Sequence, residues 1–225
     1  MRQTNPFHHL GRRMMLMRSY GIDLVLDVGA NTGQYAQRLR ELGYGGEIVS
    51  FEPMREAFDE LRRNSERDAA WSVLRLALGD VARQETLHVS ANSVSSSLLP
   101  MLDEHQRHAP SSRVVGEQTV ETVRLDALAD WPRWAERRLW LKLDVQGYEY
   151  QVLAGAGRCL DQIAAIQIEL SLRPLYEGQA TFLPMMEHLG ELGFDAVAFE
   201  PGFADMRTGE YLQVDGIFRN RRLLQ

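Results

Sequence analysis

The stretch Leu24-Val25-Leu26-Asp27-Val28-Gly29-Ala30-Asn31-Thr32-Gly33 decides the reading of this 225-residue chain. It combines a buried apolar strand, an acid at the strand's carboxyl end and a glycine-cornered turn that opens a helix. Such a turn lets a small charged ligand approach bare backbone N–H groups. A dinucleotide fingerprint would read Gly-x-Gly-x-x-Gly. Here the spacing is Gly29-x-x-x-Gly33, with Asp27 two residues ahead of the first glycine. An anion at that point repels a pyrophosphate and suits an ammonium or sulfonium group. Taken alone, the stretch also fits a strand-to-helix turn that needs glycine for its geometry and nothing else.

Outward from it, strand-like and helix-like segments alternate. Ile22–Asp27 is a continuous apolar run of strand length. Gly33–Leu42 carries Tyr35, Leu39 and Leu42 on one helical face, and Gly43 ends it. Glu47–Phe51 reads as a second strand, stopped by Glu52-Pro53. Met54, Phe58 and Leu61 give the next helix its buried stripe, and Trp71–Leu78 reads as a third strand closed by Gly79-Asp80. Leu139–Leu143 is a strand ending in Asp144, Tyr148–Leu153 starts a helix, and Ile163–Leu170 is a strand with Glu169 near its end. Thr181–Leu192 is a helix with Pro184 in its first turn, where proline is tolerated. Phe194–Phe199 and Gln213–Phe218, joined by the helix-free connector Glu200–Tyr211, predict an antiparallel hairpin. The expected fold is α/β: a mostly parallel, seven-stranded, Rossmann-like sheet with a terminal antiparallel hairpin, covered by helices on both faces.

The middle of the chain departs from this rhythm. Gln84–Ser90 and Gln118–Leu125 alternate like antiparallel strands, and the Ser-, Pro- and His-rich segment Ser93–Ser112 between them reads as a long loop. Loops of this length are uncommon unless they are functional or disordered. The expectation is an inserted hairpin and loop, about residues 84–125, over a pocket of a single domain spanning 21–225, preceded by a helical extension at 1–20.

In open α/β sheets the ligand lies beyond the carboxyl ends of the strands. Asp27, Gly29, Asn31 and Gly33 follow the first strand. Glu52 follows the second and can accept both hydroxyls of a ribose. Leu78 and Asp80, around Gly79, follow the third; they suit an adenine ring and its amino group, although Leu-Gly-Asp is equally an ordinary turn. After the next strand comes Lys142-Leu143-Asp144-Val145-Gln146-Gly147-Tyr148-Glu149. Lys142, inside an apolar strand, is read as a buried ion-pair partner. Glu149 falls in a first helical turn, where an acid complements the helix dipole.

Together, Asp27–Gly33, Phe51-Glu52-Pro53, Ala77-Leu78-Gly79-Asp80, Ser96-Ser97-Leu98, Arg124-Leu125-Asp126, Lys142–Glu149 and Ile168-Glu169-Leu170 resemble the FkbM family of class I S-adenosylmethionine (SAM) methyltransferases over roughly residues 22–218. The 142–149 stretch is its most specific part. The family commonly carries Glu where this chain has Gln146, which puts that position in doubt as a base. The resemblance implies SAM as cofactor and O-methylation of a hydroxyl on a sugar, glycolipid, polyketide or related natural product. It points to Asp27, Gly29, Ala30, Asn31, Gly33, Tyr35, Glu52, Leu78, Gly79, Ser96, Ser97 and Asp144 as the cofactor's contacts.

A hydroxyl is a poor nucleophile near neutral pH and needs a base or a metal. Asp144 is the first candidate base, with cofactor positioning as its alternative role. Asp144 and Glu169 end neighbouring strands, and all-oxygen ligation by such a pair suits Mg2+. His88, on the polar side of its predicted strand, is a further candidate base; His105 and His108 lie in the loop itself and His188 in a late helix. Two rival functions stay open at this stage: an NAD(P)-dependent oxidoreductase, which the glycine spacing disfavours, and a non-catalytic SAM-binding subunit.

Composition narrows the classes further. The chain is 44% hydrophobic and 25% charged, ordinary for a globular protein, and its net charge of −6 disfavours sequence-independent nucleic-acid binding. Cys159 is the only cysteine, so no internal disulfide can form, which fits a cytoplasmic location. No stretch has the length of a membrane span. In Met1–Tyr20, Arg12, Arg13 and Arg18 interrupt Met14-Met15-Leu16-Met17, leaving no signal-peptide apolar core. This segment is expected to form a helix that packs on its own domain or on a second subunit as a homodimer contact; a membrane-surface helix is the alternative. The acceptor is expected to be a small molecule or glycoside.

Overall fold

The structure, a computed structural model, describes residues 8–223. In chain order its elements are α1 (His9–Ser19), β1 (Leu24–Val28), α2 (Gln34–Glu41), β2 (Glu47–Phe51), α3 (Arg55–Ser65), β3 (Trp71–Leu74), β4 (Ala77–Leu78), β5 (Arg83–Ser90), α4 (Asp103–His108), β6 (Val114–Val123), α5 (Trp131–Trp134), β7 (Leu139–Leu143), α6 (Glu149–Ala156), β8 (Ile163–Ser171), α7 (Phe182–Glu191), β9 (Phe194–Pro201) and β10 (Gln213–Asn220). The main sheet has seven strands in the order β3-β2-β1-β7-β8-β10-β9. The first five are parallel, and β10 runs antiparallel to both β8 and β9. The expected α/β architecture, terminal hairpin included, is therefore present.

Side-chain alternation along β1 builds two cores. Leu24, Leu26 and Val28 face α5, α6 and α7, packing with Trp134, Val152, Leu153, Met185 and Leu189. Val25 faces the opposite layer with Met14 and Met17 of α1, Ala36 and Leu39 of α2 and Leu61 of α3. Met14 and Met17 are thus buried against the chain's own sheet, beside Trp140, Ala165 and Ile217. The first seven residues of the predicted N-terminal extension lie outside the described residues. Among the described residues no helix is long and apolar enough to cross a membrane.

Two expectations in the middle of the chain need correction. Trp71–Leu78 is not one strand. β3 stops at Leu74, and the chain then leaves the main sheet so that Ala77 and Leu78 pair with Thr122 and Val123 of β6. Trp71 in β3 and Ala77 and Leu78 in β4 are buried against different partners, so the buried apolar positions did not mark the break. The segment Ser93–Ser112 is not a structureless loop. It forms α4 and a 3-10 turn at Pro110–Ser112, and it is pinned by an antiparallel bridge from Met101 to Tyr176. β5 and β6 form the expected antiparallel pair, with β6 starting earlier than expected, at Val114. The order of the main sheet reverses between β1 and β7, and their carboxyl ends open the crevice in which such sheets bind ligands.

Candidate active site

The turn after β1 is shaped by close backbone packing. Gly29 (φ +75°) donates its N–H to Phe51 O at 3.0 Å, and a Cβ there would lie 1.9 Å from the Asp144 carbonyl oxygen. Gly33 (φ +92°) caps α2 with its Cα against the Trp71 ring, 2.7 Å from where a Cβ would stand. No other residue type fits either place. Gly29 lets the turn after β1 lie against the end of β7 beside Asp144, and Gly33 lets α2 start against Trp71 and Leu61.

Lys142 pairs with both Asp27 and Asp144. Its Nζ lies 3.1 Å from Asp27 Oδ1 and 3.5 Å from Asp144 Oδ2, and it donates to Gly29 O at 3.1 Å. Burial alone would lower the Lys142 ammonium, but the Asp27 and Asp144 carboxylates outweigh it and hold the group charged. The pairing expected for Lys142 is therefore present. Asp27 is fully buried, also accepts from Ser50 Oγ at 3.2 Å, and stands behind Lys142 without reaching the cavity wall.

A cavity of about 300 Å3 opens over these residues. One end is apolar, walled by Phe51, Leu76, Leu78, Leu98 and Tyr148. The other is polar, walled by Gly29, Asn31, Lys142, Asp144, Gln167 and Asp215. Glu52 lines the same cavity. Its Oε2 accepts from Asn31 N and its Oε1 from Met54 N, both at 2.8 Å, so each oxygen keeps a lone pair for a further donor. Burial pushes the Glu52 carboxyl up to about 7, partly offset by those two N–H groups. Among the other predicted cofactor contacts, Ala30, Tyr35, Ser96 and Ser97 line this cavity, whereas Gly33 and Gly79 do not. The two serines already have protein partners: Ser96 Oγ accepts from Ser90 N at 3.0 Å, and Ser97 Oγ donates to Gln146 O at 2.7 Å. Asp80 also lies off the wall.

A second cavity, of about 280 Å3, adjoins the first at Val94, Asp144 and Gln146. Here the strand-end acids meet. Gln146 Nε2 donates to Asp144 Oδ1 at 2.8 Å and to Glu169 Oε2 at 3.0 Å. The opposite amide orientation would set an oxygen against two carboxyl groups, so the network fixes it. Tyr176 Oη lies 2.8 Å from Gln146 Oε1, and Gln213 Nε2 donates to the same Glu169 oxygen at 2.7 Å. Burial, reinforced by Asp144, Glu149 and Asp215, holds the Glu169 carboxyl well above the usual carboxylate range. The amide of Gln146 thus occupies the position between Asp144 and Glu169 that a shared divalent ion would take. Among the described residues no three His, Cys, Asp or Glu side chains are grouped as a ligand set. The donor arrangement does not fit Mg2+.

His88 is placed elsewhere. It pairs with Glu117 at 3.3 Å on the small sheet and lines neither cavity. Glu149 accepts from the N–H groups of Val145 at 3.1 Å and Gly147 at 3.2 Å, fixing the turn that carries Gln146.

Sequence reasoning missed two charged groups in the first cavity. Asp215 lies in mid-strand, opposite Glu169 on one side and Glu200 on the other, and burial with the Asp144 charge pushes it up to about 7. An acid within Gln213–Phe218 was a visible signal. Arg13 comes from α1, with its guanidinium 5.0 Å over the Tyr35 ring and paired with the buried Glu200. Nothing local in its helix marks it as a site residue.

A family model described as the methyltransferase FkbM domain matches residues 27–196. The chain is 29% identical to the 2-O-methyltransferase NoeI of Sinorhizobium fredii over 188 residues, covering 79% of this chain and 74% of that protein. It is 27% identical to the hexuronic acid methyltransferase AglP of Haloferax volcanii over 158 residues, covering 70% of this chain and 60% of that protein. The magnesium protoporphyrin IX methyltransferase ChlM from Synechocystis PCC 6803, solved with bound SAM, superposes with a TM-score of 0.50 at 11% identity, covering 94% of this chain and 77% of that chain. That last likeness concerns the fold. The glycine turn after β1, the strand-end acids around Gln146 and a family match over well more than half the sequence lead to one conclusion: this chain belongs to the FkbM family of methyltransferases.

Proposed function

We propose that the protein is a SAM-dependent O-methyltransferase acting on a hydroxyl of a sugar, glycolipid or related natural product. The observation that carries this reading is the junction at Asp144. Among the described residues it is the one strand-end acid that lines both cavities. The relatives' names support it: one is a 2-O-methyltransferase, and the other acts on a hexuronic acid. Methyltransferase membership replaces the oxidoreductase alternative.

The first cavity suits SAM in its chemistry. Its apolar end fits an adenine and Glu52 a ribose diol, while the turn Gly29–Asn31 fits the amino-acid end. Asp27, Lys142 and Asp144 together carry one net negative charge beside that polar end, which favours a sulfonium and an ammonium. SAM supplies an electrophilic methyl group on sulfur. With SAM bound, Asp144 would take the proton of the acceptor hydroxyl as that oxygen is methylated. Lys142 and Gln146 hold that carboxylate in one orientation, so the base is positioned before the acceptor arrives. We read residues 21–225 as the catalytic domain, with the insertion at 84–125 forming its roof and α1 adding Arg13 to the cavity wall.

Asp144→Asn keeps the hydrogen bond from Gln146 and removes the base. Its turnover should fall by about 100-fold or more, the usual worth of a general base, a loss larger than its loss in S-adenosylhomocysteine affinity. Asp27→Ala should instead weaken S-adenosylhomocysteine binding. Transfer of labelled methyl from SAM to a glycoside panel reads the first effect and calorimetry the second. Undiminished turnover in Asp144→Asn contradicts the assignment, and tight SAM binding with no transfer across the panel favours a non-catalytic subunit.

A further inference from the structure

Two charged residues on the wall of the first cavity have no part in the chemistry above: Arg13 of α1 and Asp215 of β10. Both lie outside residues 27–196, the span that the family model matches, so family membership does not account for them. Arg13 is 6% exposed. Its Nε donates to Glu200 Oε1 at 3.2 Å and its Nη2 to Glu200 Oε2. One edge of the guanidinium thus ties α1 to β9. Nη1 makes no hydrogen bond among the described residues, although Arg13 lines the cavity. A lysine could pair with Glu200 as well. Only a planar guanidinium holds one carboxylate along one edge and keeps donors for a second.

Asp215 stands beside this pair, opposite Glu200 in one strand register and Glu169 in the other. It forms no ion pair among the described residues, and its one hydrogen bond, from Gln167 Nε2, is long at 3.5 Å. A chain of contacts holds both groups still. Trp140 Nε1 donates to Tyr35 Oη at 3.1 Å, and Tyr35 Oη donates to Gln167 Oε1 at 2.7 Å, which leaves the Gln167 amide nitrogen facing Asp215. The Arg13 guanidinium lies 5.0 Å and Lys142 Nζ 5.4 Å from the centre of the Tyr35 ring. The cavity wall therefore carries a fixed cationic donor next to a fixed carboxyl group. That arrangement matches an α-amino acid, which bears an ammonium and a carboxylate on one carbon; adenine and ribose bear neither charge. Burial and the Asp144 charge push Asp215 up to about 7, and an ammonium beside it would draw it down again.

We infer that Arg13 and Asp215 hold the amino-acid end of SAM, Arg13 through its carboxylate and Asp215 through its ammonium. The inference rests on the methyltransferase reading above and adds the residues that recognise the cofactor's zwitterion. It makes α1 and β10, the two elements flanking the family-matched span, part of the cofactor site.

The test is calorimetry on the intact protein with two ligands: S-adenosylhomocysteine and 5′-methylthioadenosine, which keeps the adenosine and the sulfur but lacks the amino-acid end. One variant combines Arg13→Gln with Glu200→Gln, so that both buried charges go together. The other is Asp215→Asn, nearly constant in volume. Each should weaken S-adenosylhomocysteine about tenfold or more, the worth of a charge-assisted hydrogen bond, and change 5′-methylthioadenosine less than about twofold. Binding of 5′-methylthioadenosine also reports that a variant is folded; if the double variant does not fold, Asp215→Asn decides alone. Unchanged S-adenosylhomocysteine affinity in the folded variants overturns the inference, as does an equal loss for both ligands. Failure of the parent protein to bind S-adenosylhomocysteine at all overturns the methyltransferase reading itself.

Discussion

Replacing Gln146 by glutamate changes one amide to one carboxyl group at nearly constant volume, in the middle of the strand-end acids. Two hydrogen bonds are lost, from Nε2 to Asp144 at 2.8 Å and to Glu169 at 3.0 Å. The bond to the partly exposed Asp144 carboxylate is charge-assisted, about 1.5–3 kcal/mol. The bond to Glu169, whose carboxyl is held far above its ordinary range by burial, is closer to a neutral one, about 0.5–1.5 kcal/mol. The variant should therefore lose about 2–4.5 kcal/mol, or about 4–18 °C in Tm for a chain of this size. The loss depends on pH with a definite sign. Burial and neighbouring acids raise the new carboxyl's folded-state pKa, so the folded state binds more protons than the unfolded one above about pH 4.3. The destabilisation is complete above the raised pKa and fades as pH falls towards the unfolded value, because a proton restores a donor between the acids. Differential scanning fluorimetry of both proteins at about pH 8 and about pH 5.5 reads this directly. A Tm gap that is absent at the higher pH, or equal at both, refutes the reasoning.

Two further outcomes follow from the first cavity. Arg13→Ala leaves Glu200, 3% exposed, buried without its partner, and should cost about 3–5 kcal/mol in urea unfolding; Glu200→Gln in the same chain should recover part of it. Glu52, raised to about 7 by burial, has to ionise to accept a ribose diol, and those bonds lower its pKa in the complex. S-adenosylhomocysteine affinity should hold above that pH and fall by up to about tenfold per unit below it, whereas Glu52→Gln should show a weaker, flat profile by calorimetry.

The parts of this site that one local stretch determines were legible in the sequence. The run Leu24–Gly33 gives a strand, an acid and a turn because each feature depends on neighbours within a few residues. Asp144 and Glu169 could be placed because a parallel sheet aligns strand ends. The meaning of Asp27 was only half legible: its carboxylate does serve a cationic neighbour, but that neighbour is Lys142, brought alongside by strand pairing across more than a hundred residues. Arg13 and Asp215 depend on contacts of the same long range. The break after Leu74 was hidden because buried apolar positions lie on both sides of it, against different partners. Gln146 looked like a weakened base in its family position. In the structure it is the donor that lets two acids end side by side.

The most direct test of the central claim is titration of the protein with S-adenosylhomocysteine by calorimetry, in parallel with Glu52→Ala. One molecule should bind per chain, and the variant should lose at least tenfold in affinity as the accepting carboxylate is removed. No binding by the parent protein, or equal binding by both, would contradict a cofactor site in the crevice between β1 and β7.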